Sequence, residues 1–169
     1  MTKALAVAAV LLAGCSASPA ASPPAHPRVM FFLTADCPIA NAFAPEINRI
    51  VADYQPRGVE FERIYTDLAL TAEDLRRHGD LYGFAVPARL DAGHALCRKY
   101  GLEVTPAAVL VDAEGRRAYR GRIDDRYLAP GRYRLAPTSR DLRDAIEAVL
   151  AGRPAPVPET AAVGCPLTE

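Results

Sequence analysis

A chain of 169 residues, half of them apolar, is long enough to bury one ordinary core, so a single compact domain is predicted. Twenty Lys and Arg balance twenty Asp and Glu, which leaves no summed field to hold a polyanion and excludes nucleic acid as an expected partner. The 15 prolines gather toward residues 19–27 and 154–166, so extended ends are expected around a compact middle.

Met1 to Lys3 carry one positive charge, Ala4 to Ala13 form an apolar run, and Leu12-Ala13-Gly14-Cys15 closes the segment. The run is shorter than the roughly 20 apolar residues a membrane-spanning helix needs and fits the apolar part of an export signal. Leu, Ala and Gly before Cys resemble the lipobox of bacterial lipoproteins. That resemblance implies a signal peptide over residues 1–14, lipidation of Cys15, and a mature chain anchored to the membrane in the cell envelope, on its periplasmic face. The residues alone leave open an ordinary export signal cut nearby, with Cys15 discarded. Residues 15–27, rich in Ser, Ala and Pro, hold too few large apolar side chains to pack and are expected to be a disordered spacer. Residues 28–152 then form the folded domain and 153–169 a proline-rich tail that carries Cys165.

Arg28 to Leu33 is a continuous apolar run of strand length, as expected of a central parallel strand covered on both faces. Thr34 to Pro38 breaks it. From Ile39 to Tyr54 the positions Phe43, Ile47, Ile50, Val51 and Tyr54 recur at helical spacing, and Gln55-Pro56-Arg57-Gly58 ends that helix. Val59 to Thr66 alternates as a second strand, completing a βαβ unit with a right-handed crossover. Thr71 with Asp74 predicts a capping box opening a helix to about Tyr82. A short extended piece over Phe84 to Arg89 and a helix over Ala92 to Tyr100, stopped by Gly101, follow. Ala107 to Val111, the turn Asp112-Ala113-Glu114-Gly115 and Arg117 to Ile123 read as a hairpin. Thr138 to Ala151 is a last amphipathic helix through Leu142, Ile146, Val149 and Leu150.

Cys37 sits between a strand and a helix start, where free backbone N–H groups and the helix dipole favour thiolate over thiol. Pro38 suits the first helical turn, where its missing N–H would be unpaired anyway. Thr34, three residues earlier, is within reach of the sulfur. A buried structural cysteine is the alternative at this position.

Val104-Thr105-Pro106 stands just before the hairpin, and this order of elements resembles the thioredoxin superfamily, an α/β fold with a central mixed sheet flanked by helices. The resemblance covers roughly Val29 to Leu150. Its nearest form is the redoxin branch, which includes peroxiredoxins and membrane-tethered thiol-disulfide reductases. Phe31-Phe32-Leu33-Thr34-Ala35-Asp36-Cys37-Pro38 matches the cysteine segment. The run from Tyr119 to Tyr127 and the tail Ala162-Val163-Gly164-Cys165 are similar to an often exported bacterial redoxin subgroup. The resemblance implies a cis Thr105-Pro106 bond beside Cys37, with Thr105 and Pro106 as substrate-binding residues. It also implies Cys37 and Thr34 as catalytic residues, protein thiols, disulfides or peroxides as partners, and no organic cofactor. Two departures stand out. Ala40 occupies the second cysteine of Cys-X-X-Cys, so no adjacent thiol resolves a mixed disulfide, and Met30 occupies the proline of the peroxiredoxin pattern Pro-X-X-X-Thr-X-X-Cys.

With Cys15 set aside, Cys37, Cys97 and Cys165 remain, and an odd number leaves one without a partner in the chain. Cys165, on a tail long enough to cross the domain, is the candidate resolving thiol and the third catalytic candidate; a merely terminal or intermolecular cysteine is the alternative. Cys97 is expected to be an inert core residue. Copper proteins built on the same fold hold the metal with two cysteines and a histidine, so Cys37, His94 and Cys165 form an alternative metal set, although the short motif carrying both cysteines is absent here. A binding module that kept the fold without catalysis is a third reading. His26 and His78 are expected to be solvated. Asp124-Asp125-Arg126 is expected to pair internally, with Arg126 a minor candidate for stabilising the thiolate.

Overall fold

The computed structural model describes residues 26–167. The expected export signal, Cys15 and nearly all of the spacer lie outside the described residues. Among the described residues, no helix is long and apolar enough to cross a membrane.

The elements in chain order are β1 (Arg28–Leu33), α1 (Pro38–Ala42), α2 (Ala44–Tyr54), β2 (Glu60–Tyr65), α3 (Ala72–Tyr82), β3 (Ala88–Leu90) and α4 (Ala95–Tyr100). They continue with β4 (Val104–Thr105), β5 (Ala107–Val111), β6 (Arg117–Gly121), β7 (Tyr127–Ala129), β8 (Arg132–Tyr133), α5 (Asp141–Leu150) and β9 (Cys165–Pro166). The main sheet runs β3-β2-β1-β5-β6. β1 pairs parallel with β2 and antiparallel with β5, so the apolar run at Arg28–Leu33 is the central strand of a mixed sheet.

Alternation along β1 divides the interior. Val29, Phe31 and Leu33 face the larger core with Ile47, Ile50, Leu142 and Ile146. Met30 and Phe32 face a smaller one with Ile64, Cys97, Val109 and Val111. The smaller face is finished by Leu96, Tyr100 and Leu102, and by Ala162 and Leu167 of the tail. Met30, the departure from the peroxiredoxin pattern, is thus a core residue with 4% exposure.

Several boundaries depart from the sequence reading for local reasons. The helix expected over Ile39 to Tyr54 breaks at Phe43, because Pro45 has no N–H to donate to the Asn41 carbonyl and its ring crowds that turn. The helix expected over Ala92 to Tyr100 begins as a 3-10 turn, with Gly93 and His94 both at positive φ. Buried Asp91 then caps α4 by accepting from the N–H groups of Leu96 and Cys97, each at 2.8 Å. The last helix starts at Asp141 rather than Thr138, since the Thr138 and Ser139 N–H groups are bonded to Asp125. The β7–β8 hairpin was not foreseen. The capping box at Thr71 and Asp74 forms as expected.

The tail is extended but not loose. Thr160 N–H donates to the Arg120 carbonyl, and Arg120 N–H to the Pro158 carbonyl, so the tail adds itself along the edge of β6. The Thr160 hydroxyl accepts from Arg122 N–H at 3.1 Å and lies 2.7 Å from the Tyr119 hydroxyl. Gly121, at φ +139, is required there: a Cβ would collide with the Thr160 carbonyl. From this clamp the chain crosses to β4, where β9 pairs antiparallel with Thr105 opposite Cys165.

Candidate functional site

Cys37 caps α1 in extended conformation at φ −74 and ψ 114, its N–H donating to the Thr34 carbonyl at 3.2 Å. It is 1% exposed. Its sulfur is bonded to that of Cys165 in a disulfide that joins residues 128 apart in sequence, with Cα atoms 6.1 Å apart. The same sulfur lies 3.5 Å from the Thr105 carbonyl oxygen; a disulfide sulfur has no proton, so this contact becomes a hydrogen bond only in the thiol form.

The Thr105–Pro106 bond is cis and stands beside Cys37, as the resemblance implies. In the closed form Thr105 therefore has Cys165 opposite it on β9 and the Cys37 sulfur near its carbonyl. Gly164 lets the tail lie this close, since a Cβ at that position would run into the Thr105 carbonyl.

Thr34 reaches a different partner from the one its spacing suggests. Its hydroxyl lies 2.6 Å from that of fully buried Thr105 and 3.2 Å from that of Thr66, so three threonine hydroxyls form a cluster behind the cysteine loop. Thr66, at the end of β2, was missed because nothing in its own neighbourhood marks it. His94 points its Nε2 at the Thr66 carbonyl, 2.7 Å away. The set Cys37, His94 and Cys165 is not brought together: both sulfurs are in the disulfide, His94 bonds backbone, and no group of three metal-ligating side chains occurs among the described residues. Arg126 is likewise engaged elsewhere, paired with Asp124 at 2.8 Å and resting 4.9 Å from the Phe43 ring centroid. The internal pairing expected of that loop is present.

His78 corrects its sequence reading. It is half-buried, with Nδ1 2.6 Å from the Tyr65 hydroxyl and Nε2 2.9 Å from Asn41 Oδ1, and it packs against Tyr82 and Phe84. Burial, and after it the Arg63 guanidinium, hold its pKa below the ordinary 6.5. Asn41 was legible in principle, because a residue four after Cys37 shares its helix face. Asp67, whose carboxylate accepts from the Ala35 N–H at 2.8 Å, has its pKa raised chiefly by burial.

A strand-to-helix cysteine, a cis proline facing it and a central mixed sheet define a thioredoxin-like redoxin domain. Residues 20–120 match the AhpC/TSA family. The chain belongs to that family. The matched stretch holds Thr34, Cys37, Thr105 and Pro106 and ends before the tail, so Cys165 lies outside what the AhpC/TSA match covers. No curated protein matches the sequence. Among solved structures, an uncharacterized conserved protein of Geobacillus kaustophilus is 25% identical with a TM-score of 0.76, over 88% of this chain and 79% of its own. A hypothetical protein of Sinorhizobium meliloti is 27% identical with a TM-score of 0.74, over 85% of this chain and 79% of its own. A secreted Mycobacterium tuberculosis disulfide oxidoreductase homologous to E. coli DsbE shares the fold at 22% identity and a TM-score of 0.51, over 78% of this chain and 85% of its own.

Proposed function

We propose that this protein is an exported thiol oxidoreductase in which Cys37 is the attacking thiol and Cys165 the resolving one. The observation that carries the reading is the Cys37–Cys165 disulfide beside Thr105–Pro106. It supplies the partner that Ala40 denies to a Cys-X-X-Cys mechanism.

With a disulfide substrate, the Cys37 thiolate attacks one sulfur, a Cys37 mixed disulfide forms and the other substrate sulfur leaves as thiolate. Cys165 thiolate then attacks the Cys37 sulfur, the second substrate thiolate leaves, and two electrons have passed from the cysteine pair to the substrate. With a peroxide, the thiolate attacks one oxygen, an alcohol or water leaves, and the resulting sulfenic acid condenses with Cys165, releasing water. Both routes end in the same internal disulfide, which an external dithiol must reduce to complete a cycle. Membership in the AhpC/TSA family supports the redoxin class for either substrate.

Thr105 and Pro106 form the surface on which an extended thiol substrate lies once the tail withdraws, and Thr34 supports that surface through the Thr105 hydroxyl. The leader over residues 1–14 and lipidation at Cys15 put this chemistry on the periplasmic side of the envelope, with residues 28–152 as the domain and 153–169 as the resolving tail. The secreted character of one structural neighbour is in keeping with export.

Mass spectrometry of the mature protein after mild oxidation, without reductant, tests the internal route. A peptide linking Cys37 to Cys165 is expected, and Cys37→Ser is expected to abolish both the link and turnover of a disulfide or peroxide. Finding both cysteines free after oxidation would refute it.

A further inference from the structure

Ala35, in the turn that carries Cys37, is held at both ends of its backbone. Its N–H donates to Asp67, and its carbonyl accepts from the Asn41 side-chain amide at 2.9 Å. From Asn41 a chain of hydrogen bonds continues through His78 and the Tyr65 hydroxyl to Arg63 Nη1, with steps of 2.9, 2.6 and 2.9 Å. The Ala35 carbonyl can only accept, so the Asn41 amide faces it, Asn41 Oδ1 accepts and His78 Nε2 carries a proton; Arg63 can only donate, and with His78 neutral the Tyr65 hydroxyl donates on to Nδ1. Arg63 therefore donates to Tyr65, Tyr65 to His78 Nδ1, His78 Nε2–H to Asn41 Oδ1, and the Asn41 amide to Ala35. This order requires neutral His78.

The far end of the chain is unusual. Arg63 is 5% exposed and has no carboxylate partner among the described residues. Its Nε and Nη2 donate to the Val86 carbonyl, and its guanidinium carbon sits 4.8 Å from the Phe84 ring centroid. Gly79 of α3 leaves room for it, as a Cβ there would stand 2.9 Å from Nη2. A buried cation without a counter-ion lowers stability, and groups of this kind gather where function demands them. Its charge polarises each donor along the chain in the same sense, which strengthens the successive bonds.

We propose that His78 and Asn41 are positioning residues for Cys37: the relay from Arg63 through Tyr65, His78 and Asn41 to the Ala35 carbonyl holds the cysteine turn where Cys37 Sγ meets Cys165. The proposal rests on the reading of Cys37 and Cys165 as the reacting pair. His78 is faced by Arg63 and Tyr65 of β2, Asp67 just beyond it, Asn41 of α1, Tyr82 of α3 and the Phe84 ring. Burial and Arg63 oppose a proton on His78, and the Ala35 backbone and then Asp67 favour one. Protonation turns Nδ1 into a donor, so the Tyr65 hydroxyl must accept from both Arg63 and His78 and turn its own proton away, a second cation stands near Arg63, and the one-way chain is lost.

The test is the equilibrium between the Cys37–Cys165 disulfide and a glutathione buffer, read by mass on the full chain. His78→Phe keeps the ring packing and removes both bonds. His78→Gln keeps an acceptor toward Tyr65 and a donor toward Asn41, and does not titrate. The equilibrium constant for closure is expected to fall about tenfold in His78→Phe and in Asn41→Leu, and to return to within about twofold of wild type in His78→Gln. As pH is lowered beyond the ordinary imidazole value of 6.5, wild type is expected to lose closure relative to His78→Gln once His78 takes up its proton. Equal constants for wild type and His78→Phe would overturn the relay. So would a His78→Gln variant as impaired as His78→Phe, which would reduce the site to packing. A wild-type protein that never closes the disulfide would refute the thiol reading itself, and the relay with it. Asn41→Leu makes the same comparison from α1 if His78→Phe does not fold.

Discussion

Cys37 and Cys97 are equally buried, each 1% exposed, yet the surroundings of the two sulfurs differ. Burial, and then the nearby Asp91 carboxylate, push the Cys97 thiol up to about 12, so almost no thiolate exists at neutral pH. In the reduced native protein at pH 8, iodoacetamide is expected to label Cys37 and Cys165 and to reach Cys97 only after denaturant is added; labelling of native Cys97 would contradict this. Asp125 shows the opposite balance. Burial raises its pKa, but the Thr138 hydroxyl and the Ser139 and Thr138 N–H groups outweigh that and hold it at about 2, below its ordinary 3.8. A carboxyl depressed on folding stabilises the protein above its unfolded pKa, and that contribution fades as pH falls toward the folded value. The urea midpoint is therefore expected to drop between about pH 4 and pH 2, and Asp125→Asn to begin lower at pH 7 and flatten that drop.

Among the elements, the tail sets the geometry of closure. It is held twice, by Glu159 and Thr160 on β6 and by β9 on β4, and the span between the clamps is Ala161 to Gly164. Breaking the disulfide thus frees a short segment whose cysteine stays close to Cys37, which raises its effective concentration. Two glycines permit the two contacts. Gly121→Ala is expected to lift the tail from β6 and destabilise the protein by about 1–3 kcal/mol, measurable by chemical denaturation. Gly164→Ala acts on the other clamp: its Cβ collides with the Thr105 carbonyl, so the closure constant against glutathione should fall at least about tenfold, while the reduced protein melts as wild type does.

At the scale of the whole molecule, a cross-link over 128 residues is a large loop constraint on the unfolded chain. Because the β6 clamp already holds the tail, reduction is expected to cost about 2–4 kcal/mol, seen as a lowered denaturation midpoint with the fold retained. Unfolding on reduction would show that the tail clamp contributes nothing by itself.

What the sequence determined by itself is local. The strand at Arg28–Leu33, the capping box at Thr71, the stop at Gly101, the hairpin around Asp112 and the placement of Cys37 at a strand-to-helix turn all follow from periodicity, caps and turn chemistry within a few residues. Pro45 was equally local, and it, rather than the apolar spacing, decides where the first helix breaks. The tertiary structure alone decided which side chains meet. Thr34 finds Thr105 at 71 residues' separation, His78 finds Asn41 at 37, and Cys37 finds Cys165 at 128. Such pairings carry no local signature, because a hydroxyl, a ring nitrogen or a thiol has the same preferences in sequence whichever partner the packed sheet brings to it.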